Sequence, residues 1–257
     1  MHIYKEVRVN NLLEKKMRKI FNNAFAGFLI VTMTMVTAQA GGETTSSESS
    51  SSNITYNVGF TTAYWYRGAF QNDSAVSFGA DYENGSFYLG TWWVDVGASS
   101  IHDPSLEIDL YTGYNFDLFG VPSYLGVTGY YYTDEFDQDY EEVNFGMDFG
   151  LASFDSVIYG DYKAGNGNAS SDYGHFKLNV PLSPSMFGGS VDYSWQTFTG
   201  GSIHYASHEL AYSTSSALLG GADVGIVLGR NNDGGAGATQ NSDQETGYAT
   251  LSIGYSF

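Results

Sequence analysis

The strongest constraint on this chain is a period of two that recurs from residue 54 to the last residue. In the final stretch, ETGYATLSIGYSF (245–257), Ala249, Leu251, Ile253, Tyr255 and Phe257 share one face, while Tyr248, Thr250, Ser252, Gly254 and Ser256 share the other. Successive side chains of a strand point to opposite faces, so this is a strand with one apolar and one polar side. It ends on an aromatic residue with no polar tail. Such an end resembles the closing strand that an assembly machinery recognises in bacterial β-barrels, a resemblance that implies Tyr255 and Phe257 as the assembly signal.

Twelve segments with this alternation follow one another: 54–66, 75–83, 86–95, 105–116, 123–133, 140–150, 154–163, 172–180, 186–198, 203–215, 220–229 and 245–257. The connections fall into two alternating sets. One is short: Asn84-Gly85, which resembles a tight hairpin turn, then 117–122, 151–153, 181–185 with two prolines, and 216–219. The other, 68–74, 96–104, 134–139, 164–171, 199–202 and 230–244, is rich in Gly, Asn, Asp and Ser and mostly longer, with 199–202 as the exception. An even strand count with short turns at one end and longer loops at the other predicts an all-β fold, a transmembrane up-and-down antiparallel β-barrel of about twelve strands. A soluble β-sandwich also hides one face of each strand. Segment lengths near the roughly 9–11 residues that cross a bilayer at a tilt weigh toward the membrane.

Export points the same way. Arg18 and Lys19 precede the apolar run 24–37 and the sequence AQA at 38–40. The run is shorter than the roughly 20 apolar residues of a spanning helix. Residues 1–40 thus read as a secretory signal peptide, with 1–16 as a long basic region or an upstream start artefact. Residues 41–53 (GGETTSSESSSSN) read as a Ser-rich flexible linker, and 54–257 as the outer-membrane barrel. Of ten basic residues, only Arg67, Lys163, Lys177 and Arg230 follow the signal, whereas Glu6 and Glu14 are the only acids before it among 28. So acidic a mature chain repels nucleic acid and suits neutral or cationic solutes. There is no cysteine, so neither disulfides nor thiolate zinc sites arise.

Four stretches carry a family resemblance. TTAYWYRG (61–68) followed by Gln71, GADY (79–82), FYLGTW (87–92) and EIDLYTGY (107–114) resemble the amino-terminal half of the TorF-type porin family of Gram-negative bacteria. The resemblance is specific over residues 54–115; beyond them it rests on strand pattern and the terminal Phe. It implies an outer-membrane β-barrel acting as a passive channel, with outer-membrane lipid as its surroundings and both termini periplasmic. It implies no substrate.

With the greasier parity turned outward, the charged positions fall on the other side. Arg67, Asp81, Glu107, Asp109, Asp148, Asp161, Lys163, Lys177, Asp192, Glu209 and Asp223 are the pore-lining candidates. Turned to lipid near midplane, a Lys or Arg would cost about 2–4 kcal/mol and a carboxylate somewhat less. Two roles compete for them: a cation-preferring constriction around Glu107 and Asp109, or an interior in which Arg67, Lys163 and Lys177 neutralise neighbours and fix register. Segments 86–95 and 123–133 are apolar on both parities, which leaves their facing open. The aromatics Trp65-Tyr66, Trp92-Trp93 and 130–132 are expected in interfacial girdles. Loop 230–244 is the expected plug on length alone.

No cofactor or metal site is expected. The acidic run 134–142 lacks the spacing of a calcium loop and reads as a solvated outer loop. His204 and His208, four apart on a strand, would be separated by roughly 13 Å. No Gly-x-Ser-x-Gly elbow is present, and catalysis is not expected; a barrel-embedded hydrolase using His175 is the remote alternative. The function expected is passive diffusion of small polar or cationic solutes through a weakly cation-preferring lumen. A non-conducting structural or adhesive barrel is the alternative.

Overall fold

The structure is a computed structural model, and it describes residues 53–97, 104–163, 170–200, 203–232 and 246–257. The expected signal peptide and all but the last residue of the expected linker lie outside the described residues. In chain order the strands are β1 (Ile54–Thr61), β2 (Tyr64–Tyr66), β3 (Ala69–Asn72), β4 (Ala75–Asn84), β5 (Phe87–Val96), β6 (Ser105–Leu118) and β7 (Val121–Tyr132). They continue with β8 (Tyr140–Asp148), β9 (Ser153–Lys163), β10 (Ser170–Met186), β11 (Gly189–Gly200), β12 (Ile203–Ser216), β13 (Ala222–Asn231) and β14 (Thr246–Ser256). All but β2 and β3 form one closed, antiparallel, up-and-down barrel of twelve strands. Closure leaves no sheet edge unpaired.

The last strand closes the barrel. β14 pairs antiparallel with β1 from Asn57↔Ser256 to Thr61↔Ser252. Beyond it, Tyr56 and Phe257 exchange two backbone hydrogen bonds of 2.9 Å, and their rings stack at 6.1 Å. Both ends of the barrel chain thus lie at one rim, together with the tight turns.

Those turns are tighter than the sequence suggests. Asn84↔Phe87, Leu118↔Val121 and Met186↔Gly189 are paired, so the connections are Gly85-Ser86, Phe119-Gly120 and Phe187-Gly188. Phe119 (φ 54°) with Gly120 (φ 82°), and Phe187 (φ 51°) with Gly188 (φ 80°), take the two positive φ values of the type I′ hairpin, whose twist matches that of its strands. The expected turn over 181–185 is instead part of β10. The ladder absorbs Pro181 through register shifts between Pro181 and Ser183 and between Ser183 and Met186, the irregular positions at which a strand tolerates a missing N–H.

The alternation sorts the faces as expected in β1, where Ile54, Tyr56, Val58 and Phe60 are exposed outward and Asn57 is buried inward. The open facing of two strands is resolved by burial. In β5, Trp92, Val94 and Val96 point inward and Trp93 outward; in β7, Thr128 and Tyr130 point inward. Trp92 and Tyr130 therefore line the interior rather than an interfacial girdle.

One bulge overturns part of the pore-lining set. Between β8 and β9 the register slips from Val143↔Tyr159 to Asn144↔Val157, so Ile158 is an extra residue and parity inverts beyond it. Gly160 and Tyr162 then oppose the inward Glu142 and Tyr140, and Asp161 opposes Glu141 on the outer face. Asp161 is not a lumen residue. The side chain of Lys163 lies outside the described residues.

Candidate functional site

The expected strand 54–66 stops at Thr61. Thr61 and Ala75 are directly paired across β1 and β4, so residues 62–74 form an insertion that leaves the loop-side rim and returns to it at one place. Within it, β2 and β3 make their own two-stranded sheet, sharing no ladder with the wall. Tyr66 pairs with Ala69, and the turn between them is Arg67-Gly68, with φ of 52° and 81°. This two-residue turn places Arg67 at the tip of a hairpin.

The hairpin folds into the lumen. Its tip carbonyl, Gly68 O, accepts a hydrogen bond of 2.6 Å from Asn231 Nδ2 on β13. An ideal Cβ at Gly68 would lie 2.6 Å from Ser207 Cβ on β12, so positive φ and close approach both demand glycine here. Trp65 stacks on Tyr248 of β14, with ring centroids 4.1 Å apart and planes 6° from parallel. On the opposite wall, Tyr64 packs edge-on against Trp92 of β5 at 5.9 Å and donates a hydrogen bond of 2.9 Å to Glu107 Oε1 on β6. Tyr64, Ala75, Trp92, Val94 and Val96 form the buried apolar cluster that seats the hairpin, with Tyr66, Tyr111, Tyr132 and Phe136 against it.

Arg67 carries the polar contact. Its guanidinium grips Glu142 of β8 as a two-pronged pair, Nη1 to Oε1 and Nη2 to Oε2, the second at 2.9 Å. Three more donors converge on that carboxylate: Tyr173 to Oε1 at 2.7 Å, and Tyr130 and Asn144 to Oε2 at 3.1 and 2.8 Å. The Arg67 Cζ lies 4.8 Å from the ring centre of Tyr66 and 6.0 Å from that of Tyr130. With the Tyr130 proton directed at Glu142, Tyr66 donates to the Tyr130 hydroxyl at 2.6 Å. Burial works against the charge of Arg67, but the adjacent Glu142 carboxylate outweighs it and holds the guanidinium pKa well above its ordinary value. A fully paired buried ion of this kind is tolerated because its geometry and hydrogen bonds compensate for lost water.

Glu107 and Asp109 lie at the same level and are both 0% exposed. Neither Asp109 oxygen has a hydrogen-bond partner. Glu107, Asp109 and Glu142 thus place three carboxylates beside one arginine.

Toward the turn-side rim the lumen is different. A pocket of about 480 Å³ opens there, its lining including Asn115, Asp117, Tyr124, Asp148 and Asp155. Asp155 accepts from Tyr124 at 2.8 Å and lies opposite Lys177 across β9 and β10. Lys177 is 3.7 Å from Glu209, which also accepts from Tyr248 at 2.6 Å. Asp81 accepts from Asn57 at 3.1 Å and from Tyr111. Asp192 and Asp223 share the inner parity, paired opposite Ala211 and Ser215.

Of the sequence candidates, then, Arg67, Glu107 and Asp109 come together at the hairpin, while Asp81, Asp148, Lys177, Asp192, Glu209 and Asp223 lie on the inner face nearer the turns. Glu142 and Asp155, like Asp117 in the pocket lining, are inner carboxylates that escaped the sequence reading. Glu142 belongs to the run read as a solvated outer loop, yet it is 1% exposed and is the centre of the site; its even-numbered parity with Asp148 was the available signal. Asp155 shares the odd parity of Asp161 and Lys163, so the same rule offered it; the bulge then turns Asp155 inward and Asp161 outward. Trp65 and Tyr66 lie in the hairpin, not in a girdle. Loop residues 233–245, where a plug is expected, lie outside the described residues. His175, 7% exposed, pairs through Nε2 with Gln196 Oε1 at 3.1 Å, and no serine takes that place.

A model of a bacterial protein family of unknown function (Gcw_chp) matches residues 45–155. That span includes the hairpin and the stretch resembling TorF-type porins, but the family's description names no porin. No curated protein matches the sequence. Among solved structures, the chain is similar to a protein from work on the in-meso crystallization of membrane proteins, at 10% identity and TM-score 0.50, covering 79% of this chain and 83% of that one. It is also similar to the KdgM porin, at 10% identity and TM-score 0.48, covering 79% and 98%. An outer membrane channel of Pseudomonas putida F1 gives 11% identity, TM-score 0.45 and coverage of 84% and 100%. At such identities the likeness is one of barrel architecture.

Proposed function

We propose that this chain is an outer-membrane channel for passive diffusion of small polar solutes, weakly cation-preferring, with the β2–β3 hairpin as its constriction. The observation that carries this reading is the division of the two faces. Among the described side chains, the outward-parity charges Asp95, Glu141, Asp161, Asp172 and Arg230 all lie at loop-side strand ends, and the outer wall between them and the turns is uncharged and mostly apolar. A band without charge suits lipid, and a closed barrel is the strand architecture that satisfies its backbone there. The inner face carries many carboxylates against Arg67 and Lys177, which favours cations. Twelve strands enclose more room than the eight whose interior side chains fill.

In this reading the TorF-type resemblance and the porin-like neighbours agree with the barrel, and the termini and tight turns face the periplasm. A structural, non-conducting barrel is the second reading, favoured by the hairpin that fills the loop-side lumen. Refolded protein in a planar bilayer under a KCl gradient separates them. Discrete current steps with a reversal potential favouring K⁺ are expected; a folded barrel that never conducts would remove the channel reading.

A further inference from the structure

The wall around Glu142 is shaped for a planar cation, and the chain fills it from a hairpin that is not part of the wall. Glu142, Tyr130, Tyr173 and Asn144 all belong to barrel strands, and without Arg67 they present a buried carboxylate, a ring face and three fixed donors. Bidentate capture by both oxygens selects a guanidinium fork over a point charge. A second observation points independently to an unfilled polar position. Asp109, 0% exposed with both oxygens unpartnered, lies directly across the β6–β7 ladder from Tyr130. With Glu107 Oε2 likewise unpartnered beside it, the site holds buried carboxyl oxygens that no hydrogen bond fills.

We infer that this wall site binds guanidinium-bearing solutes and that Arg67 is their tethered stand-in, displaced when such a solute arrives. The inference rests on the channel reading for its purpose, though not for its chemistry. Because β2 and β3 form a sheet of their own and both ends of the insertion sit at Thr61 and Ala75, the hairpin can leave the lumen as a unit without opening a barrel ladder. A solute that occupies Glu142 thereby removes the obstruction on its own path. The tether lowers apparent affinity by the fraction of barrels whose hairpin is out.

The test uses the full mature chain, refolded in detergent and confirmed as folded by its heat-modifiable gel mobility, with L-argininamide as probe and n-butylammonium as the cation without a fork. Calorimetry should show saturable argininamide binding, weaker butylammonium binding, and affinity at least about tenfold tighter in Arg67→Gln, as expected if the open fraction is one tenth or less. The double variant Arg67→Gln/Glu142→Gln, which removes both members of the pair, should not bind. In the wild type, saturating argininamide should also expose Trp65 and Tyr66 to chymotrypsin, a protease whose pocket the probe does not occupy, since cleavage there requires the hairpin to leave. Equal affinity in wild type and Arg67→Gln, or no binding by either folded protein, would overturn the inference even if current is seen. Binding with the predicted ranking but no current would uphold the site and remove the channel reading instead.

Discussion

Arg67 and Glu142, 75 positions apart in the chain, meet as a two-pronged ion pair inside the barrel, with neither side chain more than 9% exposed. One belongs to the inserted hairpin and the other to the wall, so this single pair joins the hairpin to the barrel.

Removing one partner leaves a buried, unpaired charge or acceptor set. Glu142→Ala is expected to destabilise the barrel by about 3–5 kcal/mol, and Arg67→Met/Glu142→Leu by much less than the sum of the single changes. Urea titration of the refolded variants in detergent measures both, and additive losses would show that the pair is not the coupling described.

Tyr173 is held over Gly160: an ideal Cβ at Gly160 would sit 2.7 Å from Tyr173 Cζ, and the same ring presents its hydroxyl to Glu142. Gly160→Ala should push the ring from its seat, costing about 1–3 kcal/mol by overpacking, and should raise the basal rate of tryptic cleavage at Arg67. Unchanged cleavage would mean that Tyr173 does not position Glu142.

The stack of Trp65 on Tyr248 anchors the hairpin on the side away from Glu142. Aromatic pairs contribute about 0.5–1.5 kcal/mol beyond burial. Trp65→Ala is therefore expected to speed cleavage at Arg67 by roughly threefold or more, with the barrel still resistant to heat and detergent. A rate equal to that of the wild type would place the anchor elsewhere.

Charge selectivity should be set nearer the turns, where the lumen is open. Asp155→Asn is expected to lower the K⁺ preference in a KCl gradient and Lys177→Gln to raise it, because the two lie opposite each other on neighbouring strands with opposite effects on the local field. Reversal potentials that ignore both changes would put selectivity at the hairpin alone.

Much of the barrel is legible in the sequence, because a period of two and alternating loop lengths are written in side-chain types: the twelve strands, the closing role of 246–257 and the facing of β1 all follow from them. The hairpin is not. Alternation runs on through Thr62 and Ala63 without a Gly or Pro to mark the end of β1, and an arginine at a positive φ is an unusual first residue for a two-residue turn. The aromatic run YWY before Arg67-Gly68, with AFQN after it, is the hairpin signal that could have been found. Asp161, of the same parity as Asp155, was misplaced for a different reason. A bulge at Ile158 inverts parity and leaves no residue type that announces it.

The central claim is that the hairpin, not the barrel wall, limits an acidic channel. Because Thr61 and Ala75 are directly paired, residues 62–74 can be replaced by an Asn-Gly turn that keeps the β1–β4 ladder and gives up only the bonds of Thr62 to Leu251 at the rim. Single-channel conductance of this variant beside the wild type is the most direct test. The account predicts a several-fold larger current that still favours K⁺; a folded variant that conducts no better than the wild type would contradict it.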